Sequence, residues 1–171
     1  MDFSIADGKA ALNQALFEVT HGLYILTSKD DARANGQCLD ALMQVTNAPA
    51  RIAIAVNKRS LTGEMIGKTG RFVVNVLDRE NKACPDIIKH FGFQSGRDTD
   101  KFADYPHEKS EHGIPILPDA KAFYECRVRP EMTLDLGTHT LFVAEVERAG
   151  THEKGKPLTY NEYRETMRKG R

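Results

Sequence analysis

The sequence has no tryptophan, no excess of charge of either sign and no long hydrophobic run. Its 171 residues contain 24 Lys and Arg against 24 Asp and Glu, so we expect no basic surface for nucleic acid or for an anionic membrane. The apolar run at residues 52–56 is far shorter than the roughly 20 residues of a membrane helix. The first residues include an early acid and lack the apolar segment of a secretory signal. We therefore predict a cytoplasmic protein.

The three cysteines, Cys38, Cys84 and Cys126, are widely spaced and form no Cys-x-x-Cys pair. This spacing argues against a zinc knuckle, an iron–sulfur site and a redox dithiol. It favours free thiols in a reducing compartment, each one a small buried side chain. His107 and His112 lie in a charged segment that is more typical of a solvated loop than of a metal site. We therefore predict no metal site.

The length fits one domain over residues 1–171. Apolar periodicity predicts a helix over residues 9–21, and helical character is also predicted at 62–67, 78–92 and 161–168, with Thr62 capping the second of these helices. Strands are predicted at residues 23–27, 37–46, 51–57, 71–77, 122–129, 133–136 and 140–146. A polar turn is predicted at 29–36, and residues 92–118 show no regular pattern. This order predicts a mainly antiparallel β-barrel with peripheral helices.

Residues 57–62, Asn-Lys-Arg-Ser-Leu-Thr, bring an amide, two cations and two hydroxyls to a predicted helix start. A phosphate monoester binds well to such a set, because free N–H groups and the helix dipole favour an anion. The spacing fits a plain polar turn equally well.

Two further segments allow two interpretations each. Residues 91–102 mix aromatic residues, cations and glycines, which suits either a flap over a planar anionic ligand or a surface turn. The imidazole of His139 is either a structural hydrogen-bonding group or a ligand-facing group at a barrel rim.

Several common signatures are missing, among them Gly-x-Gly-x-x-Gly, the phosphate loop, His-Glu-x-x-His and Gly-x-Ser-x-Gly. Other motifs occur together and in order: Gly-Leu-Tyr-Ile-Leu-Thr-Ser at 22–28, Gln-Val-Thr-x-x-Pro at 44–49, Ala-Val-Asn-Lys at 55–58, Phe-Gly-x-Gln-Ser-Gly-Arg-Asp-x-Asp-Lys-Phe at 91–102, and Gly-Thr-His-Thr-Leu-Phe-Val at 137–143. On these motifs the chain resembles the flavin reductase family, most closely its flavoredoxin-like branch and the flavin domain of high-molecular-weight rubredoxins.

The resemblance implies an FMN-binding split β-barrel that forms a homodimer with the flavin near the subunit interface. It implies that NAD(P)H reduces the flavin, which then passes electrons to free flavin or to a redox partner protein. His139 is the implied catalytic residue, in the nicotinamide or flavin environment. The implied cofactor-binding residues are Cys38, Asp40, Ala41, Leu42, Asn57, Lys58, Ser60, Thr62, Ser95, Arg97 and Lys101.

Two departures from the family pattern matter. Asp40-Ala41 stands where relatives carry Asn followed by Thr or Ser, and an aspartate facing the ring would lower the flavin potential. No cysteine pair follows Tyr160, so a rubredoxin-like partner would be a separate protein. Three hypotheses follow: an NAD(P)H:flavin oxidoreductase, a flavoredoxin-type electron-transfer protein without its own NAD(P)H site, and a barrel that has lost flavin binding.

Overall fold

The computed structural model describes residues 8–167. The helices are α1 (Lys9–Leu16), α2 (Leu61–Thr69), α3 (Cys84–Gly92) and α4 (Tyr160–Glu162), the last continuing as a π-helical turn over Tyr163–Met167. The strands are β1 (Tyr24–Lys29), β2 (Ala34–Leu39), β3 (Leu42–Asn47), β4 (Ala50–Asn57), β5 (Arg71–Val76), β6 (Glu108–Lys109), β7 (Pro115–Ile116), β8 (Ala122–Val128), β9 (Leu134–Asp135) and β10 (His139–Thr151).

Eight strands form one antiparallel sheet in the order β2-β1-β5-β8-β10-β4-β3, with β9 also pairing with β10. Strands β6 and β7 form a separate hairpin. Within the described part of the chain, β2 and β3 at the two ends of this order do not pair with each other. The sheet is antiparallel, as the strand pattern predicted, and it is open, as in the split barrel that the family resemblance implied.

The interior of the barrel is apolar because alternate residues of each strand point inward. On β4 these are Ile52, Ile54 and Val56, which pack with Phe72 and Phe142. A second apolar cluster lies under α3 and includes Ile87, Ile88 and Phe91. Within residues 8–167 no helix is long and apolar enough to cross a membrane.

The opposite face of β4 is also apolar, and it points away from the barrel interior. Directly paired residues share a face of a sheet, so two rows run across β3, β4, β10 and β9 on this side: Met43–Ala53–Val143 and Ala55–Leu141–Leu134. We call these the outer rows. Met43 and Leu134, at their ends, are 59% and 56% exposed.

Several predicted boundaries were wrong. Asn35 and Gly36 lie inside β2 and not in a turn, because their backbones pair with β1. The predicted strand over 37–46 is two strands that meet at Asp40 and Ala41. Helix α1 ends at Leu16, and α3 starts only at Cys84, where Pro85 occupies the first turn that tolerates it. Strand β10 extends to Thr151. Of the predicted last helix, Arg168 lies outside the described residues.

The cap of α2 was also assigned to the wrong residue. Ser60, not Thr62, is the N-cap, and its hydroxyl oxygen accepts a hydrogen bond from the Gly63 N–H at 2.9 Å. The helix ends at Thr69, followed by Gly70 in the left-handed conformation (φ 66°). The cap therefore lies two residues earlier than predicted, and the helix starts at Leu61, four residues after the end of β4 at Asn57.

Candidate functional site

A cleft of about 280 Å³ lies between the start of α2, strand β2 and the segment that follows α3. We call it the α2 cleft. Its walls come from Asn35, Gln37 and Cys38 on β2, from Asn57, Arg59, Ser60 and Leu61 at the start of α2, and from Phe91, Gly92, Gln94, Ser95, Gly96, Arg97 and Lys101. The two sequence clusters predicted to carry chemistry thus face each other across one cavity. Six of the eleven predicted cofactor-binding residues line it: Cys38, Asn57, Ser60, Ser95, Arg97 and Lys101.

The start of α2 supplies the cleft with hydrogen-bond donors. The Asn57 side-chain oxygen accepts from the Arg59 N–H at 2.9 Å, and the Ser60 N–H donates to the Asn57 carbonyl at 3.0 Å. These bonds hold the turn that leads from β4 into the helix. The first-turn N–H groups of a helix have no partner in the helical ladder, and the dipole adds partial positive charge there. This wall of the cleft is therefore suited to an anion.

Lys101, in the loop after α3, lines the cleft and is only 3% exposed. Its Nζ donates to the carbonyls of Gly36 and Phe91, each at 2.8 Å, and so ties the loop to β2. Burial lowers the pKa of this ammonium. An ammonium carries three donors, so two bonds to protein carbonyls leave the third for a group in the cleft.

The loop after α3 packs tightly on β2. A Cβ at Gly96 would lie 2.1 Å from the Asn35 side-chain oxygen, and one at Gly92 would lie 2.9 Å from Cys38 Sγ. Cys38 Sγ itself lies 3.6 Å from the Ile88 carbonyl oxygen. Burial raises the pKa of the Cys38 thiol to about 12, so it stays protonated and forms a wall of the cleft, not a nucleophile.

Arg97 closes the outer side of the cleft. Its guanidinium forms an ion pair with Glu64 on α2 and donates to the Arg59 carbonyl at 3.3 Å. The Ser95 hydroxyl accepts from the Arg97 N–H at 3.1 Å. Arg97 is thus already paired with a carboxylate. The two other cations of the cleft, Arg59 and Lys101, have no carboxylate partner among residues 8–167.

Two predicted residues near α2 lie outside the cleft. Thr62 is fully buried behind it, where its hydroxyl accepts from the side-chain nitrogen of Asn35 at 3.0 Å. Lys58 points toward β9 and forms an ion pair with Asp135 at 2.5 Å, which, together with the Gly137 N–H, lowers the pKa of that carboxyl. Thr62 supports a cleft residue, and Lys58 belongs to a neighbouring surface.

His139 opens β10 directly opposite Asn57. Strand alternation places it on the outward face, at the end of the outer rows. Its Nδ1 lies 2.9 Å from the Thr138 hydroxyl. The predicted catalytic imidazole is therefore next to the cleft but faces outward.

The remaining predicted residues, Asp40, Ala41 and Leu42, follow β2 at its far end. Leu42 lines a cavity of about 520 Å³ at one end of the barrel, together with Tyr24 and Tyr124. Asp40 lines a different cavity of about 350 Å³, formed with Asn13, Leu16, Phe17, His21, Tyr160 and Arg164. We call the latter the β2-end cavity. Neither Phe17 nor Arg164 belongs to a sequence motif, and only the fold brings them together.

The groups of the α2 cleft fit the phosphate end of a flavin nucleotide. A dianion needs several N–H and O–H donors and compensating positive charge, and the cleft offers the α2 N-terminus, Ser60, Ser95, Arg59 and Lys101. Strand β2 leads from Asn35 in this cleft to Asp40, five residues or about 16 Å away. A nucleotide held here by its phosphate has an extended path along β2 for the rest of the molecule.

Comparison with known proteins identifies the family to which the chain belongs. Residues 16–167 match the family model of the flavin reductase like domain. The chain is 40% identical over 156 residues to a high molecular weight rubredoxin of Moorella thermoacetica, covering 91% of this chain and 66% of that protein. It is 34% identical over 159 residues to a ferric-chelate reductase (NAD(P)H) of Archaeoglobus fulgidus, covering 92% and 91%. The crystal structure of a flavoredoxin from Methanosarcina acetivorans superimposes with a TM-score of 0.74 at 25% identity, covering 92% and 81%.

The chain therefore belongs to the flavin reductase-like family. This confirms the family, the split-barrel fold and the oxidoreductase class that the sequence predicted. The chain spans slightly less than two thirds of the rubredoxin relative and nearly all of the ferric-chelate reductase.

Proposed function

We propose that the protein is an FMN-dependent oxidoreductase that takes electrons from NAD(P)H and passes them to flavin or to a redox partner protein. The observation that supports it most is the convergence of the α2 N-terminus, Arg59, Ser60 and Lys101 on one cleft in a chain of this family. FMN ends in the phosphate monoester that such donors bind best. When bound, a flavin supplies the hydride- and electron-transfer chemistry.

In this proposal the protein itself binds the flavin and orients its ring. The cleft holds the phosphate, and β2 guides the ring toward Asp40. A ring placed there lies between the β2-end cavity and the backbone of residues 38–42, which fits the predicted contacts of Cys38, Asp40, Ala41 and Leu42. Burial keeps the Cys38 thiol protonated, so it is not an activated nucleophile, and hydride transfer needs none.

We propose a homodimer formed through the outer rows. Met43 and Leu134 expose large apolar side chains on a face where Ala53 and Ala55 let another chain approach closely. Apolar patches of this kind mark protein interaction sites. A dimer formed through this face brings His139, at the end of the rows, to the boundary between subunits, where it is free to meet the nicotinamide or the flavin.

A flavoredoxin-type role, in which electrons come from a protein and NAD(P)H is a poor donor, is the second candidate. The 40% identity to a high molecular weight rubredoxin and the likeness to a flavoredoxin favour it. Anaerobic mixing with NADH and with NADPH separates the two functions. We expect prompt loss of the visible flavin absorption with at least one of them. Stable absorption with both would leave the flavoredoxin role.

The cofactor assignment is tested by comparing FMN with riboflavin, which lacks the phosphate. Arg59→Gln should weaken FMN binding about tenfold, the usual effect of losing one charge-assisted contact, and leave riboflavin binding unchanged. Lys58→Gln is the matched control, since Lys58 pairs with Asp135 and does not line the cleft. Equal losses for both flavins with Arg59→Gln would contradict a phosphate in the cleft, and a purified protein that takes up neither flavin would show that flavin binding has been lost.

A further inference from the structure

His90 lies in the last turn of α3, next to Phe91, which lines the α2 cleft. The Nε2 atom of His90 lies 2.8 Å from the carbonyl oxygen of Lys101. A carbonyl oxygen can only accept a hydrogen bond, so this nitrogen carries a proton and donates it. The bond therefore joins the end of α3 to the far end of the loop that follows it.

Aromatic rings hold the imidazole in this orientation. The His90 ring stacks on Tyr105 with ring centres 5.0 Å apart and planes inclined by 27°. It also meets the Phe91 ring edge-on at 4.7 Å, and Tyr105 meets Phe91 edge-on at 4.9 Å. Ring pairs in these geometries attract one another beyond the effect of burial alone. The packing thus keeps Nε2 directed at the Lys101 carbonyl.

The residue that His90 holds is the buried cation of the cleft. The Nζ of Lys101 donates to the carbonyls of Phe91 and Gly36, while the Lys101 carbonyl accepts from His90. Two bonds of opposite direction thus connect the end of α3 with residue 101. They close residues 92–100 into a loop and tie that loop to β2.

The backbone of Lys101 has little else to fix it. Lys101 lies outside every helix and strand, and its carbonyl has no other hydrogen-bond donor among the described residues. Its ammonium sits at the end of a long, flexible stem, so the place of the charge depends on the place of the backbone. The same loop carries Ser95 and Arg97, which also line the cleft. A shift of residue 101 would therefore move several groups that face an anion.

We propose that His90 is a positioning residue for the phosphate of the flavin. The proposal rests on the proposed function, in which the α2 cleft holds the FMN phosphate. His90 does not itself line the cleft and acts through Lys101. By donating to the Lys101 carbonyl, the imidazole keeps the ammonium and residues 92–100 where they favour a phosphorylated flavin. His90 thereby contributes to the preference for FMN over riboflavin.

The test titrates the flavin-free protein with FMN and with riboflavin, follows flavin fluorescence, and takes the ratio of the two affinities as the readout. His90→Phe keeps an aromatic ring but removes the N–H. We expect it to lower FMN affinity about fivefold, as one lost hydrogen bond does, and to change riboflavin affinity by less than about twofold. His90→Gln places an amide N–H near the position of Nε2 and should restore most of the loss. His90→Asn is one carbon shorter and should behave like His90→Phe.

His107→Phe is the matched control. The Nδ1 of His107 lies 2.8 Å from the Tyr105 carbonyl oxygen, and its ring meets Phe102 edge-on at 5.1 Å. The variant therefore loses the same kind of bond in the same aromatic cluster, but that bond goes to Tyr105 and not to Lys101. The FMN-to-riboflavin ratio should stay within about twofold of wild type.

The outcomes separate this inference from the proposed function. If the wild-type protein binds FMN no more tightly than riboflavin, the phosphate assignment fails and this inference with it. If Arg59→Gln lowers FMN affinity selectively while His90→Phe leaves the ratio unchanged, only this inference is overturned. Equal losses of both flavins from His90→Phe, or His90→Gln as weak as His90→Phe, would overturn it too, since the imidazole would then serve the fold alone. Should His90→Phe not fold, His90→Asn takes its place, and a wild-type ratio for that variant refutes the proposal.

Discussion

The α2 cleft and the β2-end cavity lie at opposite ends of one strand and are built in different ways. The cleft takes its polar groups from two short stretches, residues 57–61 and 91–101, joined by β2. The β2-end cavity draws on residues 13–21, Asp40 and residues 160–164, which come from distant parts of the chain. Local turns and a helix cap fix the α2 cleft. The β2-end cavity instead depends on how residues 13–21 and 160–164 pack near the end of β2.

The two sites also differ in whether their buried cations have hydrogen-bond partners. In the α2 cleft the buried cation, Lys101, donates to the Gly36 and Phe91 carbonyls. In the β2-end cavity Arg164 has a buried N–H with no partner among residues 8–167. The buried cation of the α2 cleft is therefore fully held by the protein, whereas the β2-end cavity leaves one buried donor unpaired. We therefore expect the loss of Lys101 to cost more stability than the loss of Arg164.

Lys101→Met should have the largest effect. It leaves two buried carbonyls without donors, and at roughly 1–3 kcal/mol for each lost partner we expect the free energy of unfolding to fall by about 3 kcal/mol. Urea denaturation measures this change. Lys82→Met, at an exposed position, is the control and should stay within about 0.5 kcal/mol of wild type. A loss below about 1 kcal/mol for Lys101→Met would show that the cleft is not stabilised by this lysine.

Thr62→Val should rank second. The substitution keeps the shape but removes the acceptor for the buried Asn35 side-chain nitrogen, at a cost of about 2 kcal/mol. Because the hydroxyl lies behind the cleft, the preference for FMN over riboflavin should not change. Thr99→Val, at an exposed position in the loop, serves as the control. Selective loss of FMN binding by Thr62→Val would instead place the hydroxyl at the phosphate, as the sequence resemblance implies.

Local chemistry explains why the α2 cleft was predictable. Residues 57–62 and 91–102 carry their polar groups in contiguous motifs, so the chain pattern offered an anion site and a covering loop as alternatives to a polar turn and a surface turn, and the family resemblance favoured the first two. The same local view failed for Asn35-Gly36, whose turn propensity is overridden by pairing with β1. It also assigned the cap of α2 to Thr62, because hydroxyls at two nearby positions satisfy the same pattern and only the backbone geometry decides between them.

The β2-end cavity could not have been predicted in this way. Phe17 and Arg164 are 147 residues apart, and neither stands in a motif with a chemical meaning of its own. Their contact depends on how α1 and α4 pack near the end of β2. Asp40 alone gave a signal, as a departure from the family pattern, and that signal pointed to the flavin ring and not to a second cavity.

His139→Ala probes the link between the cleft and the outer rows. If His139 meets the nicotinamide or flavin across a dimer boundary, its loss should slow flavin reduction about tenfold, which corresponds to about 1.4 kcal/mol of the barrier, and leave FMN content unchanged. Stopped-flow reduction by NAD(P)H gives the rate. His152→Ala, at an exposed position away from this face, should reduce at the wild-type rate. Unfolding of His139→Ala would assign the imidazole a structural role.

Asp40→Asn should have the smallest effect, and it bears directly on where the flavin ring lies. A carboxylate close to the ring disfavours the reduced, anionic flavin, so its replacement by an amide should raise the flavin potential. The shift should be on the order of 20 mV, less than the 30 mV that corresponds to about 1.4 kcal/mol for a two-electron couple. Asp31→Asn, just before the start of β2 and far from the cavity, is the matched control and should leave the potential unchanged. An unchanged potential would place the ring away from this carboxylate and farther along the chain, toward residues 41–42.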